Sequence, residues 1–292
     1  MRRFCLIVNP KAGGGRTAKA LPAVERALAD HDLDYRVELT LSLEHAVELA
    51  HEAAESGEVA VSYGGDGLAG AVAHALRGTG GVLGVLPGGR GNDFARKLGI
   101  PTEPLPAAEI LAHAEPRTVD VAEVDGRTYL GIASFGFDSD CQDLANATRV
   151  VRGQLVYVYS ALRTLARWKP AELSYAADGG ETRTFSGYAV AACNSGIFGG
   201  GMALAPEASL EDGLLDVLLT HDSSKLTYLR GIPKVFKGTH LDDPSAELFR
   251  ARELRVDAAR TFRIYADGDP IGQTPATIRA VPGALRVLAP AA

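Results

Sequence analysis

Cysteine is scarce in this 292-residue chain: only Cys5, Cys141 and Cys193. An odd number without tight spacing builds neither a disulfide framework nor a zinc site, and fits a reducing cytoplasm. A basic excess is also missing. Lys and Arg total 30 against 36 Asp and Glu, a net charge of −6, which argues against holding nucleic acid by phosphate neutralisation. Long apolar runs are missing too. The run Phe4–Val8 behind Arg2 and Arg3 is too short for a signal peptide. No stretch approaches the roughly 18 apolar residues that span a bilayer. There are no repeats and no low-complexity linker. What remains, 46% hydrophobic and 23% charged, is the make-up of a soluble globular protein of one large or two ordinary domains. Glycine is the exception: 33 of 292 residues, with thirteen between Gly57 and Gly99.

The first third alternates strand and helix. Short apolar runs at 4–8, 35–39, 59–63 and 82–86 read as strands. Helical patterns lie between them, to about Asp30, over Leu43–Ser56 and over Leu68–Arg77. Pro22 is expected to kink the first helix or mark its true start. This rhythm predicts an α/β domain with a doubly wound parallel sheet, whose ligands bind at the carboxyl ends of the strands. After about Pro116 the texture changes. A hairpin over 119–133 turns at Asp125-Gly126. Strands follow at 172–177, 185–193, 214–220, 253–258, 261–266 and 284–289, interrupted by helical patches near 139–168 and 223–236. This half predicts a mainly antiparallel β-sandwich. We expect domains at 1–121 and 122–292, packed directly on each other.

Three glycine-bearing loops follow strands one, three and four. Asn9-Pro10-Lys11-Ala12-Gly13-Gly14-Gly15 can cradle an anion with free N–H groups, but lacks Walker A spacing. In Gly64-Gly65-Asp66-Gly67-Leu68 the glycines admit a phosphate to the backbone at a helix N-terminus. A carboxylate among phosphates is repelled unless a cation bridges them, so Asp66 points to Mg²⁺. Gly65, Gly67 and Gly70 also satisfy the dinucleotide fingerprint. The next strand, however, ends Val85-Leu86-Pro87-Gly88, without the acid that would hold a ribose. The third loop, Pro87-Gly88-Gly89-Arg90-Gly91-Asn92-Asp93, sets Arg90 to meet phosphate and opens a short helix capped by Asn92 or Asp93.

Taken in order, NPKAGGG (9–15), GGDGL (64–68), PGGRGNDFAR (87–96), ASFGFD (133–138), FGGGMALAPEASLEDGLLDV (198–217) and ADGDPIGQTPATIRAVPGALRVLAP (266–290) resemble the diacylglycerol kinase catalytic family, in its bacterial lipid kinase branch. The resemblance implies an α/β nucleotide domain and a β-sandwich, with ATP in the cleft and Mg²⁺-assisted transfer of its γ-phosphate to a lipid hydroxyl. Nucleotide contacts are implied for Asn9, Pro10, Lys11, Ala12, Gly13 and Thr40. They are implied also for Gly64, Gly65, Asp66, Gly67, Leu68, Ala69, Gly70 and Ala71, with Arg90 where the family usually has Thr. A structural metal is implied at Asp212 and the backbone carbonyls of Ser209 and Leu214. The bare sequence allows a simple turn there. The family's catalytic Asp-Gly-Glu reads Asp267-Gly268-Asp269, so the final acid has about 1.3–1.5 Å less reach. By itself Asp267-Gly268-Asp269-Pro270 reads as a hairpin turn. Leu68 replaces a usual Thr.

Residues 149–171 carry Arg149, Arg152, Arg163, Arg167 and Lys169 and no acid, with Tyr157, Tyr159 and Trp168 among them. The stretch 225–237 repeats this composition. Such faces suit anionic lipid headgroups, although an ordinary amphipathic helix with a solvated Arg face accounts for them equally. The expectation is a cytoplasmic ATP- and Mg²⁺-dependent lipid kinase that meets its lipid substrate at the membrane surface, with no nucleic acid partner and a homodimer left open. In it, Asp66 organises Mg²⁺, and Asp269 with Asp267 activates the hydroxyl. The alternatives are a soluble-substrate kinase sharing the GGDG loop, of NAD kinase type, or a catalytically weak nucleotide- or lipid-binding regulator.

Overall fold

The computed structural model describes residues 2–148 and 155–291. In chain order, the first half comprises β1 (Arg3–Val8), α1 (Ala12–Asp30), β2 (Asp34–Leu39), α2 (Leu43–Glu55), β3 (Val59–Gly64), α3 (Asp66–Leu76), β4 (Val82–Pro87), α4 (Asp93–Lys97) and α5 (Pro104–His113). The chain continues through β5 (Pro116–Val124), β6 (Arg127–Tyr129), β7 (Ile132–Gly136), α6 (Phe137–Ala147), α7 (Leu155–Arg167), β8 (Ala171–Ala177), β9 (Arg183–Cys193), β10 (Ile197–Phe198), β11 (Met202–Ala203) and β12 (Leu215–His221). It ends with α8 (Lys225–Val235), β13 (Ala246–Ala251), β14 (Glu253–Ala258), β15 (Arg263–Ala266), β16 (Asp269–Gln273) and β17 (Ala276–Leu288). No described helix is long and apolar enough to cross a membrane.

Strands β2, β1, β3 and β4 lie side by side in that order, all parallel. From Phe4 to Val8 every residue of β1 is buried, as expected of a strand covered on both faces. Helices α2 and α3 pack on each other, as do α1 and α5. The order 2-1-3-4 puts the topological switch between β1 and β3, so a crevice opens past their carboxyl ends. Two of the glycine loops leave from those two ends. The irregularity in α1 falls at Gly13, Gly14 and Gly15, all with positive φ, and not at Pro22. Regular helix therefore starts after the glycine run, and Pro22 costs it only one backbone donor.

The second half is antiparallel, β16-β15-β7-β9-β8-β14-β17, with β12 and β13 extending from β9. Its core gathers Tyr129, Phe135, Phe137, Trp168, Tyr188, Phe262 and Ile278. The 13-residue β17 welds the halves. Residues Ile278–Val281 pair with β5, and beyond an irregularity before Leu285 the strand also runs parallel to β4, Arg286 opposite Val82. Leu285, Val287 and Leu288 accordingly belong to the first core. Asp120 in β5 pins the irregularity by accepting from Gly283 N (2.8 Å) and from Gly213 N (2.6 Å). The residue 121 boundary expected from sequence falls inside β5.

Candidate active site

The three glycine loops stack against one another by backbone. Gly88 N and Gly89 N donate to Gly64 O, at 2.7 and 3.1 Å. A Cβ on Gly89 would stand 2.6 Å from Gly65 Cα, and one on Gly13 would stand 2.6 Å from Gly88 O. Side chains are excluded there by contact distance alone. Arg16 ties the first and third loops, donating to Gly13 O (3.1 Å) and Gly89 O (3.2 Å). Nothing in the local sequence singles out Arg16 for this. Asn9 Oδ1 accepts from Lys11 N at 3.0 Å, which shapes the first loop.

Asp66 is the first residue of α3, where helix N–H groups are unspent. Its Oδ1 accepts from Phe94 N at 3.2 Å. Its Oδ2 and Asp93 Oδ2 converge on one spot, lying 3.1 and 3.0 Å from where a Cβ on Gly91 would stand. Burial raises the Asp66 carboxyl above its ordinary range. The Phe94 N–H opposes this, and the Asp93 charge adds to it. Two carboxylates brought together with no ion-pair partner among the described residues are a hard-oxygen donor set that fits Mg²⁺.

Asp93 is not a helix cap. Both its oxygens accept from Gly200 N, at 3.1 and 3.0 Å, across to the second half of the chain. The residue before α4 is Asn92, in the left-handed region (φ 52°) and without a side-chain cap bond. Its Oδ1 accepts instead from Gly89 N at 2.9 Å. The signal for Asp93 was already present as a second acid within a glycine loop. The span of 107 residues to its partner was not.

The hairpin between β15 and β16 supplies the facing carboxylates. Asp267 (φ 52°) and Gly268 (φ 95°) form its turn, so the turn reading and the site reading hold together. Asp267 accepts from the backbone N–H of Leu130 (2.9 Å), Gly131 (3.0 Å) and Ile132 (3.2 Å). A side chain on Gly131 would collide with Asp267 Oδ1. Burial pushes the Asp267 carboxyl up to about 6, the three N–H groups oppose this, and the Asp66 charge adds to it. Asp269 Oδ2 reaches to 3.0 Å from where a Cβ on Gly67 would stand. Its carboxyl is also raised, by burial.

Between these elements lies a cleft of about 260 Å³, lined by Asp66, Gly67, Gly70 and Ala71 on one side and by Tyr129, Ala266, Asp267, Asp269 and Pro270 on the other. Leu43, Val47, His74, Arg127, Thr128 and Ile271 also line it. The structure therefore brings together Asp66, Gly67, Gly70, Ala71, Asp267 and Asp269. Asn9, Pro10, Lys11, Ala12, Gly13 and Arg90 stand on the loops beside the cleft and not in its lining. Arg90 is exposed and has no ion pair among the described residues. Thr40 is buried, its hydroxyl donating to Ser42 O at 2.6 Å. The Leu68 side chain turns away from the cleft into the first core, under Gly64. The Leu-for-Thr difference thus becomes a packing feature. Ala69 is buried with it.

The cleft is clamped at the far end of α3. His74 Nδ1 meets Thr128 Oγ1 at 3.1 Å, and Arg77 pairs with Glu123 at 2.6 Å. Burial lowers the His74 pKa, with the Arg77 charge adding to it. The ring is therefore neutral near pH 7.

Ser209, Asp212 and Leu214 lie in the turn before β12. Asp212 is exposed, and its Oδ1 accepts from Leu214 N at 3.1 Å. Among the described residues no cluster of three His, Cys, Asp or Glu side chains is arranged to hold a metal. The Lys97 ammonium already donates to Ala208 O and lies in the fields of Asp216 and Asp212. Arg250 pairs with Asp216 at 3.1 Å. A set of one carboxylate and two backbone carbonyls is not such a cluster, but Lys97 and Arg250 already stand beside Asp212 and Asp216, and we infer that the turn holds itself without a divalent ion. We expect chelator to leave the melting temperature unchanged. Lys97→Met should cost about 1.5–3 kcal/mol, the scale of a charged hydrogen bond, a drop of several degrees. Chelator-sensitive melting abolished by Asp212→Ala would restore the metal.

Comparison with known proteins covers nearly the whole chain. Residues 3–124 match the diacylglycerol kinase catalytic domain, and residues 131–289 match the YegS C-terminal NAD kinase beta sandwich-like domain. A diacylglycerol kinase of Mycobacterium tuberculosis H37Rv is 32% identical over 292 residues, 97% of this chain and 94% of that one. The "Probable lipid kinase YegS-like" of Pseudomonas aeruginosa PAO1 is 31% identical, covering 99% and 95%. A Bacillus anthracis Sterne crystal structure assigned to the diacylglycerol kinases shares the fold, with a TM-score of 0.82 at 22% identity over 99% of this chain and 95% of that one. With these relatives, the glycine-walled cleft at a parallel-sheet switch point, faced by carboxylates from an antiparallel half, belongs to a kinase. The chain belongs to the diacylglycerol kinase catalytic family, among its lipid kinases.

Proposed function

We propose that this kinase uses ATP to phosphorylate the hydroxyl of diacylglycerol or a similar lipid alcohol, working from the cytoplasm on a lipid at the membrane surface. The observation that carries the reading is the meeting of Asp269 with Gly67, a carboxylate of one half of the chain against the phosphate-grade loop of the other. The names of the relatives supply the acceptor class.

In this reading the open N–H groups at the start of α3 and the stacked glycine loops receive the phosphates. Thr40 and Asn9–Gly13 shape the outer part of that cradle, and Arg90 reaches the phosphates from its exposed position. Asp66 and Asp93 would hold Mg²⁺, which supplies charge neutralisation on the phosphates when bound. Asp269 Oδ2, which accepts no hydrogen bond among the described residues, takes the proton of the attacking hydroxyl. Asp267 has its oxygens committed to three N–H groups. It positions the hairpin that presents Asp269 two residues on. Transfer then depends mainly on placement and charge, as phosphoryl transfer demands.

A pH dependence follows. The site needs ionised carboxylates, whereas the fold favours the protonated form of Asp267. Its protonated form stabilises the fold fully below the unfolded value near 3.8, and that contribution is lost as pH rises through about 6. Activity has the opposite sense. As pH falls through about 6, kcat should drop as Asp267 takes up a proton, its titration coupled to the charge of Asp66. Rates from pH 5 to 8 at saturating substrate test this, and a flat acid side down to pH 5 would contradict it. Extraction of a lipid phosphate after incubation with ATP, Mg²⁺ and diacylglycerol tests the function itself. Its absence with folded enzyme would refute the reading.

A further inference from the structure

Ten large apolar side chains are exposed among the described residues, and half of them stand on two neighbouring helices. These are Val158 (56%) and Leu162 (52%) on α7, and Leu226 (56%), Ile232 (37%) and Phe236 (57%) on α8 and its first following residue. Helix α8 fully buries none of its residues; Tyr228 and Leu229 pack against the second core, while Leu226 and Ile232 stay exposed. A helix that leaves large apolar side chains in water beside its core-packed ones is unusual for an element made only to cover a core.

The charges on these helices are of one sign. Positions 155–171 contain Arg163, Arg167 and Lys169 and no acid, and positions 223–241 contain Lys225, Arg230, Lys234 and Lys237 and no acid. This occurs in a chain whose net charge is −6. Arg149 and Arg152, which the sequence reading joined to this face, lie outside the described residues and are not needed for it. The two helices meet at their ends, where Lys225 Nζ donates to Ala166 O at 2.8 Å. Tyr228 anchors α8 inward, stacked on Tyr188 with ring centroids 4.3 Å apart and edge-on to Phe137 at 5.0 Å.

One strand runs from the cleft to this surface. Ile132 at the start of β7 donates to Asp267, and Phe137 directly follows its end. Five residues at about 3.3 Å each set the α8 anchor roughly 17 Å from the active-site carboxylates.

We propose that α7 and α8 form the docking face for an anionic phospholipid bilayer, with Leu226, Ile232 and Phe236 entering the headgroup–acyl boundary and the Lys and Arg side chains on lipid phosphates. Apolar residues among cations are what such an interface recognises. A second copy of this chain is disfavoured as occupant, because a two-fold contact through this face sets like charges against each other. The inference rests on the lipid-kinase reading only for the identity of the substrate, and its primary test needs no turnover.

Full-length protein is sedimented with phosphatidylcholine vesicles, with and without phosphatidylglycerol, in the absence of ATP. Binding should require phosphatidylglycerol and weaken with salt. Arg230→Ala and Lys234→Ala should each weaken it about fivefold. Leu226→Ser with Phe236→Ser should weaken it at least about tenfold. All four positions are exposed, so melting should not change, and phosphorylation of a water-soluble short-chain diacylglycerol should stay at the wild-type rate. Equal binding to both vesicle types, wild-type binding by the variants, or variants that alter only oligomeric state would overturn the proposal. Vesicle binding that follows this pattern in a protein phosphorylating no lipid would support the docking face and refute the kinase reading.

Discussion

Asp66→Asn should lower kcat by at least about 10²-fold, roughly 2.7 kcal/mol of lost transition-state stabilisation, while leaving the protein as stable as before or slightly more so. The two effects separate because they come from different properties of one carboxylate. Its charge, with that of Asp93, makes a pair of acids aimed at the loop around Gly91. The amide cannot supply that charge. The fold, however, holds the ionised form at a cost, since burial and Asp93 both raise its pKa. An isosteric neutral side chain relieves that cost and retains an oxygen for Phe94 N. Paired kcat and melting measurements test this. Near-normal turnover would remove Asp66 from the metal-holding role. A collapse in stability would make it a structural residue.

Asp269→Glu should also lose activity, on the order of 10²-fold, although Glu is what the resembled family carries. The carboxylate already lies 3.0 Å from where a Cβ on Gly67 would stand, so a longer acid has little room toward that loop. An added methylene must displace the carboxylate by about its own length, and misplacement near 1 Å can cost that much. The same contact makes Gly67→Ala a test from the other side. A methyl group there meets the oxygen closer than ordinary packing allows and pushes the base off its line. We expect at least about a tenfold fall in kcat with unchanged melting. A gain of activity in Asp269→Glu would show a cleft with room for the longer acid, and the close approach to Gly67 would then have no catalytic meaning.

Much of the first half was legible in the sequence because its signals are local. An apolar run followed by a glycine turn and a helical period gave β1, β3, β4 and the three loops. The Asp125-Gly126 turn, with φ of 47° and 87°, was legible for the same reason. What escaped was set by distant partners. Strand β16 begins Asp-Pro and contains Gly272, which no propensity marks as strand. It exists because β15 is beside it. Strand β17 reads as a short strand after Pro282-Gly283, yet it starts at Ala276, because β5 and β14 pair with its earlier residues. Strand β13, AELFRA, has no clean alternation and is fixed by β12. Among site residues, Asp66 and the pair Asp267 and Asp269 were found by chemistry or resemblance. The hold of Asp93 on Gly200, the bridging by Arg16, and the turning of Leu68 into the core are consequences of how loops far apart in sequence stack. Spacing along the chain does not encode them.

The most direct measurement gives wild-type enzyme and Asp66→Asn γ-labelled ATP with a panel of diacylglycerol, other lipid alcohols and NAD, and then separates the extractable lipid from the water-soluble products. The expected result is label in a lipid phosphate from wild type, at least about 10²-fold less from Asp66→Asn, and none in a product of NAD. Label in a water-soluble product with the lipid fraction empty would contradict the account and make the cleft that of a soluble-substrate kinase.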